Sequence, residues 1–171
     1  MSIAQALQSV DFAVSAVALG DGGSVHFRVG TALVWICSLE EALWPRPEDA
    51  TYDADLAASE DGRVIPGLRR ARNSLVHELV EPVPPEGGLE YPLFGATGRL
   101  EFTPRWVPLA SLGPGDPTAS KKRLTIQSAA YDAHVAGKPL AEPLQRAARW
   151  LGDHAEVHWA RKLQTRTPQR G

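Results

Sequence analysis

The sequence has a single cysteine, Cys37, so no disulfide can form within the chain, and a reducing, cytoplasmic setting is expected. Cys37 sits inside the apolar run Thr31 to Leu39 and is expected to be a small buried hydrophobe rather than a nucleophile. No apolar stretch approaches the roughly 20 residues that span a bilayer, so no membrane partner is expected. The opening Met1-Ser2-Ile3-Ala4-Gln5 lacks basic residues and Asp11 interrupts the apolar positions after it, which argues against a secretory signal. Neither sign of charge is in excess: 18 Lys+Arg stand against 20 Asp+Glu, a formal net charge of -2. That balance excludes a general polyanion-binding surface, so any contact with nucleic acid has to be local. There is no internal repeat, and the turn cluster Gly113-Pro114-Gly115-Asp116-Pro117 does not fit a phosphate-binding loop. His154 and His158 are one helical turn apart, but no HExxH pattern or cysteine cluster accompanies them. A surface helix end is expected there, with no metal and no cofactor.

What is present is helical periodicity. A chain of 171 residues with 43% hydrophobic content supports one core. Ile3, Ala6, Leu7, Val10, Ala13, Val14 and Val17 recur at three- and four-residue steps, and Asp21-Gly22-Gly23 ends that helix. A second helix is expected from Ser24, its N-cap, to Pro45; residues 46–61 are read as a loop with at most one short turn. Leu68, Leu75, Val76 and Leu79 predict a third helix over 68–80, closed by Pro82. The period then vanishes. Leu89 to Phe94 and Arg99 to Val107 read as two short strands, and helical patterning returns over 119–135 and from Leu140 to about Trp159. The expected fold is mainly α: an antiparallel bundle of four to five helices in one domain, 1–163, with a small β-hairpin insertion at about 88–108 and a flexible tail at 164–171. Trp106, Trp150 and Trp159 are expected as core or interface aromatics.

The chemistry-bearing run is Arg72-Asn73-Ser74-Leu75-Val76-His77, an R-N-x-x-x-H pattern preceded by Gly67-Leu68-Arg69-Arg70-Ala71. A histidine moves protons near neutral pH, and an arginine is a permanent planar cation matched to phosphate oxygens. Together they suit RNA cleavage by the substrate's own 2′-hydroxyl without a metal. The spacing alone is not specific, since Arg149 and His154 repeat it without the polar residue after the arginine.

Residues 67–80 resemble the signature of HEPN domains, in which an arginine, a polar residue and a later histidine lie on a helix of a small bundle. The helix arrangement over about 24–160 is similar more loosely. The resemblance implies a metal-independent endoribonuclease in a toxin-antitoxin or anti-phage defence setting, with His77 transferring the proton, Arg72 stabilising the phosphate and Asn73 orienting one of them. On one ideal helix Arg72 points about 140° away from His77. The family's usual homodimer, in which Arg of one chain serves His of the other across a composite site, resolves that angle. Arg69, Arg70, Lys121, Lys122 and Arg123 are the candidate RNA and phosphate contacts. Toxin members controlled by modification carry a tyrosine where this chain has Leu79, so a cognate antitoxin or defence partner would act otherwise. The alternative is a non-catalytic HEPN-like module that binds a protein or RNA, with the arginines as a solvated helix face.

Overall fold

The computed structural model describes residues 2–20, 24–44, 50–74, 79–80, 88–93, 96–101 and 104–166. Among them are six α-helices: α1 (Ile3–Leu19), α2 (Val25–Leu43), α3 (Ala50–Ala58), α4 (Val64–Arg72), α5 (Lys121–His134) and α6 (Ala141–Arg166). Helices α1, α2, α4 and α6 pack on one another, and α5 lies against α4. No helix among the described residues is long and apolar enough to cross a membrane.

The helix starts are set by local chemistry. Ser2 accepts from the Gln5 backbone while the Gln5 side chain accepts from the Ser2 backbone N–H, a reciprocal pairing that satisfies two otherwise orphaned donors. Ser24 and Ser120 cap α2 and α5, their hydroxyls accepting from the Phe27 and Arg123 amides. Gly20 ends α1 in the left-handed region at φ 75°. The predicted apolar face of α1 is the buried one: Ala6, Val10, Ala13 and Val14 enter the core. The core is built of Val29, Leu33 and Ile36 of α2, Ile65 and Leu68 of α4, and Leu144, Trp150 and Leu151 of α6.

Four expectations differ from the structure. Residues 50–58 form a nine-residue helix rather than a loop, because Tyr52 and Leu56, four apart, both bury their side chains. Helix α4 begins at Val64 and ends at Arg72, not at Val80; Pro66 falls in its first turn, where its missing N–H is tolerated. Asn73 (φ -81°, ψ 2°) follows as the cap, and residues 75–78, which include His77, lie outside the described residues. Helix α6 runs to Arg166, through exposed Gly152 and into the expected tail, of which 167–171 lie outside the description.

Backbone segments β1 (Gly88–Leu93) and β2 (Ala96–Glu101) pair antiparallel, with Gly88 opposite Glu101. Their side chains and residues 94 and 95 lie outside the described residues, and an insertion at 88–108 is not otherwise established. Residues 104–107 instead belong to the bundle. Val107 N–H donates to Leu79, Trp106 N–H to Lys138 and Leu140 N–H to Pro104, so this segment is threaded between 79–80 and the α5–α6 turn. Fully buried Trp106 donates its indole N–H to the Leu140 carbonyl at 3.2 Å, and Tyr131 Oη donates to the Val107 carbonyl at 2.8 Å.

Gly67 is where α4 and α5 approach most closely: a Cβ there would sit 2.9 Å from the Tyr131 backbone, while one on Gly152 would meet nothing within 4 Å. Gly67→Ala should therefore lower stability by about 1–3 kcal/mol as the helices are pushed apart. Gly152→Ala should raise it by about 0.5–1 kcal/mol through helix propensity. Urea denaturation checks both, and a neutral Gly67→Ala would mean the helix pair is looser than described.

Candidate functional site

The arginines of the motif region divide by burial. Arg69 is 6% and Arg70 4% exposed, against 33% for the Arg72 side chain. The first two face inward on α4 and the third closes the helix at its exposed end.

Arg69 is committed to Glu40, a carboxylate with no exposed surface on α2. Its Nε donates to Glu40 Oε2 at 2.6 Å, its Nη2 pairs with Oε1, and Tyr52 Oη donates to the same Oε1 at 2.9 Å. The guanidinium also stacks on Trp44, 4.0 Å from the ring centroid. Burial, followed by the charge of Arg123, pulls Arg69 down to about 10, which leaves it protonated at neutral pH. Burial also pushes the Tyr52 hydroxyl well above the usual phenol range, so it stays a donor. Arg70 is held differently: Nη1 donates to Ser74 Oγ at 3.2 Å and Nη2 to the Gly113 carbonyl. Gly115, at φ 90°, packs close over its guanidinium, and burial lowers its pKa. Both residues were expected as phosphate contacts; the structure places both in internal contacts instead, Arg69 with Glu40 across the α2–α4 interface and Arg70 with Ser74 and the loop carbonyl of Gly113.

Arg72 Nη1 pairs with Glu41 Oε1 at 2.7 Å, the side chains being 33% and 44% exposed. Such a pair contributes about 0–1 kcal/mol and yields readily to a better anion. Arg72 and Arg123 both act electrostatically on Arg69 and on Asp116, so the end of α4 and the start of α5 share one positive neighbourhood. Lys121, Lys122 and Arg123 are exposed on the first turn of α5, with Arg123 5.1 Å from the Trp44 ring centroid. Asn73 is past the helix end, so the expected one-turn relation between Asn73 and His77 on a single helix does not hold at Asn73.

Between α3, α4 and α5 lies a cleft of about 690 Å³. Leu56, Pro66, Ile126 and Ala130 give it an apolar lining, and Arg63, Lys122 and Arg123 border it. His134, at its far end, is pulled down by burial and then by Arg146 and Arg63. The sequence did not announce this cleft, since its walls come from three helices, one of them read as a loop.

The remaining candidates are structural. Among the described residues no group of His, Cys, Asp and Glu could hold a metal ion. His154 stacks on Trp150, with ring centroids 4.6 Å apart, and His158 faces Asp55 at 3.5 Å. Trp106 and Trp150 are buried and Trp159 packs against the core. Comparison with known proteins returns no matching family model, no matching curated protein and no matching solved structure.

Two outcomes check this assignment. Glu40→Ala leaves Arg69 as an uncompensated buried cation and should cost about 3–5 kcal/mol, whereas replacing the pair together by Glu40→Leu and Arg69→Met should cost far less. Equal losses in urea melts would refute the pairing. Cys37 has no exposed surface, and burial raises its thiol to about 11, so iodoacetamide at neutral pH should leave it unmodified in the folded chain and label it fully in urea, as read by mass spectrometry.

Proposed function

We propose that the chain is a metal-independent endoribonuclease of the HEPN kind, cutting RNA to 2′,3′-cyclic phosphate and 5′-hydroxyl ends, with Arg72 and His77 as the working pair. One observation supports this reading above others: Arg72 keeps a third of its side chain accessible and is tethered to partly exposed Glu41, while Arg69 and Arg70 are spent on the bundle. In this reaction the 2′-hydroxyl loses its proton, attacks phosphorus and expels the 5′-oxygen, which takes up a proton. His77 carries one of those transfers. Arg72 neutralises the charge that builds on the phosphoryl oxygens, trading Glu41 for the substrate. Lys121, Lys122 and Arg123 extend the positive surface along the RNA backbone, and Asn73 orients the phosphate. A homodimer with a composite site, in a toxin-antitoxin or defence setting and with an antitoxin or defence-system partner, is the assembly this reading carries with it.

A second reading has its own observation. Phe12, Leu19, Phe27 and Val34 stand 55–79% exposed on α1 and α2, which favours a non-catalytic module that docks another protein.

Incubating purified protein with a mixed cellular RNA pool in EDTA separates the two. The wild type should cut, and Arg72→Ala and His77→Ala should each reduce cutting by about a hundredfold or more while remaining folded by circular dichroism. Cleavage that EDTA abolishes and His77→Ala leaves intact would overturn the ribonuclease reading.

A further inference from the structure

The cleft between α3, α4 and α5 has the features of a built ligand site, and Arg72 is not part of its wall. Its volume, about 690 Å³, lies within the range that encloses a small organic molecule. Three features bear on what it would hold. The first is charge. Arg69 borders the cleft but is saturated by Glu40, whereas among the described residues Lys122 and Arg123 make no ion pair with a carboxylate, and the Arg63 side chain donates to the Ala57 carbonyl at 2.8 Å. Against these three cations the lining offers one carboxylate, Asp53. The second is shape and surface: Leu56, Pro66, Ile126 and Ala130 are apolar, and the Trp44 indole at the edge is held by Arg69 and Arg123. Ile126 is 53% exposed, unusual for a large aliphatic residue beside a concavity.

The third feature is an orphan. Gln127 lines the cleft at 2% exposure, and its Oε1 is buried with no hydrogen-bond partner. An unsatisfied buried acceptor costs about 1–3 kcal/mol, so it is rarely left without a donor. A ligand that brings an N–H or O–H to that depth would remove the cost. Ser120 adds direction, since it caps α5 and places the helix's N-terminal amides, which favour an anion, at the same edge as Lys122 and Arg123.

We propose that this cleft binds a small aromatic anion: the flat apolar body between Leu56, Ile126 and Trp44, the anionic group at Lys122, Arg123 and the start of α5, and an N–H or O–H donated to Gln127 Oε1. The site shares Lys122 and Arg123 with the RNA surface proposed above but not Arg72, and it survives the failure of that reading.

Two fluorescent dyes test it on the full chain: anilinonaphthalene sulfonate, which has the anion, the flat body and an N–H, and the neutral phenylnaphthylamine, which lacks only the anion. The wild type should bind one sulfonate dye per chain, saturably. Lys122→Ala with Arg123→Ala should weaken the sulfonate about tenfold, the loss of roughly 1.4 kcal/mol, and leave the neutral dye nearly unchanged. Gln127→Leu should weaken both dyes, and Ala130→Trp, by filling the cleft, should abolish both. Circular dichroism and urea melts establish that each variant is folded. A sulfonate affinity that ignores the loss of Lys122 and Arg123, or binding that never saturates, would overturn the proposal; unchanged or tighter binding in Gln127→Leu would overturn the part given to Gln127.

Discussion

Glu40 is a carboxylate with no exposed surface, placed on the inward face of α2 among aliphatic side chains. A charge in that position is tolerable only when it is paired and its lone pairs are occupied. Arg69 from α4 and Tyr52 from α3 meet both conditions, and Trp44, at the end of α2, covers the guanidinium. Apolar packing is nondirectional and would allow these helices to slide by part of a turn. Three hydrogen bonds converging on one carboxylate would not. The position of α3, a nine-residue helix too short to be stable by itself, follows from Tyr52 having to reach Glu40 while stacking on Trp44, 6.4 Å between centroids. Tyr52 also meets Trp150 edge-on at 5.6 Å, which ties the same cluster to α6.

With α2, α3 and α4 fixed, the place of α5 is set by Gly67. The missing side chain lets the α5 backbone close on α4 at Tyr131, and Tyr131 in turn anchors residue 107 through its hydroxyl. The cleft lies between α3, α4 and α5, with Pro66 next to Gly67 in its wall and Trp44 and Leu56 opposite. Its mouth falls at the first turn of α5, where Lys122 and Arg123 emerge.

Much of the bundle was legible in the sequence because α1, α2, α5 and α6 carry apolar residues at helical steps, with Ser24 as a cap and Asp21-Gly22-Gly23 as a break after the first helix; the caps at Ser2 and Ser120 and the stop at Gly20 come from the structure. The burial of Cys37 and Trp150 was legible with their helices, and that of Trp106 from its aromatic bulk alone. Helix α3 was not, because its helical signal reduces to two residues, Tyr52 and Leu56, whose burial depends on partners far away in the chain. The early end of α4 was hidden by Leu75, Val76 and Leu79, which continue the apolar period beyond Arg72; Leu79 is buried, yet it reaches the core as extended chain paired to residue 107. Period reports burial, and burial does not require a helix. The fates of Arg69 and Arg70 were beyond local reading for a related reason: what holds them, Glu40 and the Gly113 carbonyl, is 29 and 43 residues distant.

The sorting of the arginines therefore depends on long-range partners rather than on the motif itself. Adjacent cations on one helix would repel if all faced solvent, and a chain with net charge -2 has no general use for such a patch. Burying Arg69 against a carboxylate and Arg70 against carbonyl and hydroxyl oxygens removes two of those charges from the surface while retaining them as cross-links. The cations left exposed are then Arg72, at the end of α4, and Lys121, Lys122 and Arg123, at the start of α5. They flank the same helix pair from its two sides. An anion approaching this end of the bundle meets the side chains of Arg72, Lys121, Lys122 and Arg123 together with the N-terminal amides of α5, which add a fixed positive direction that flexible side chains alone would not give.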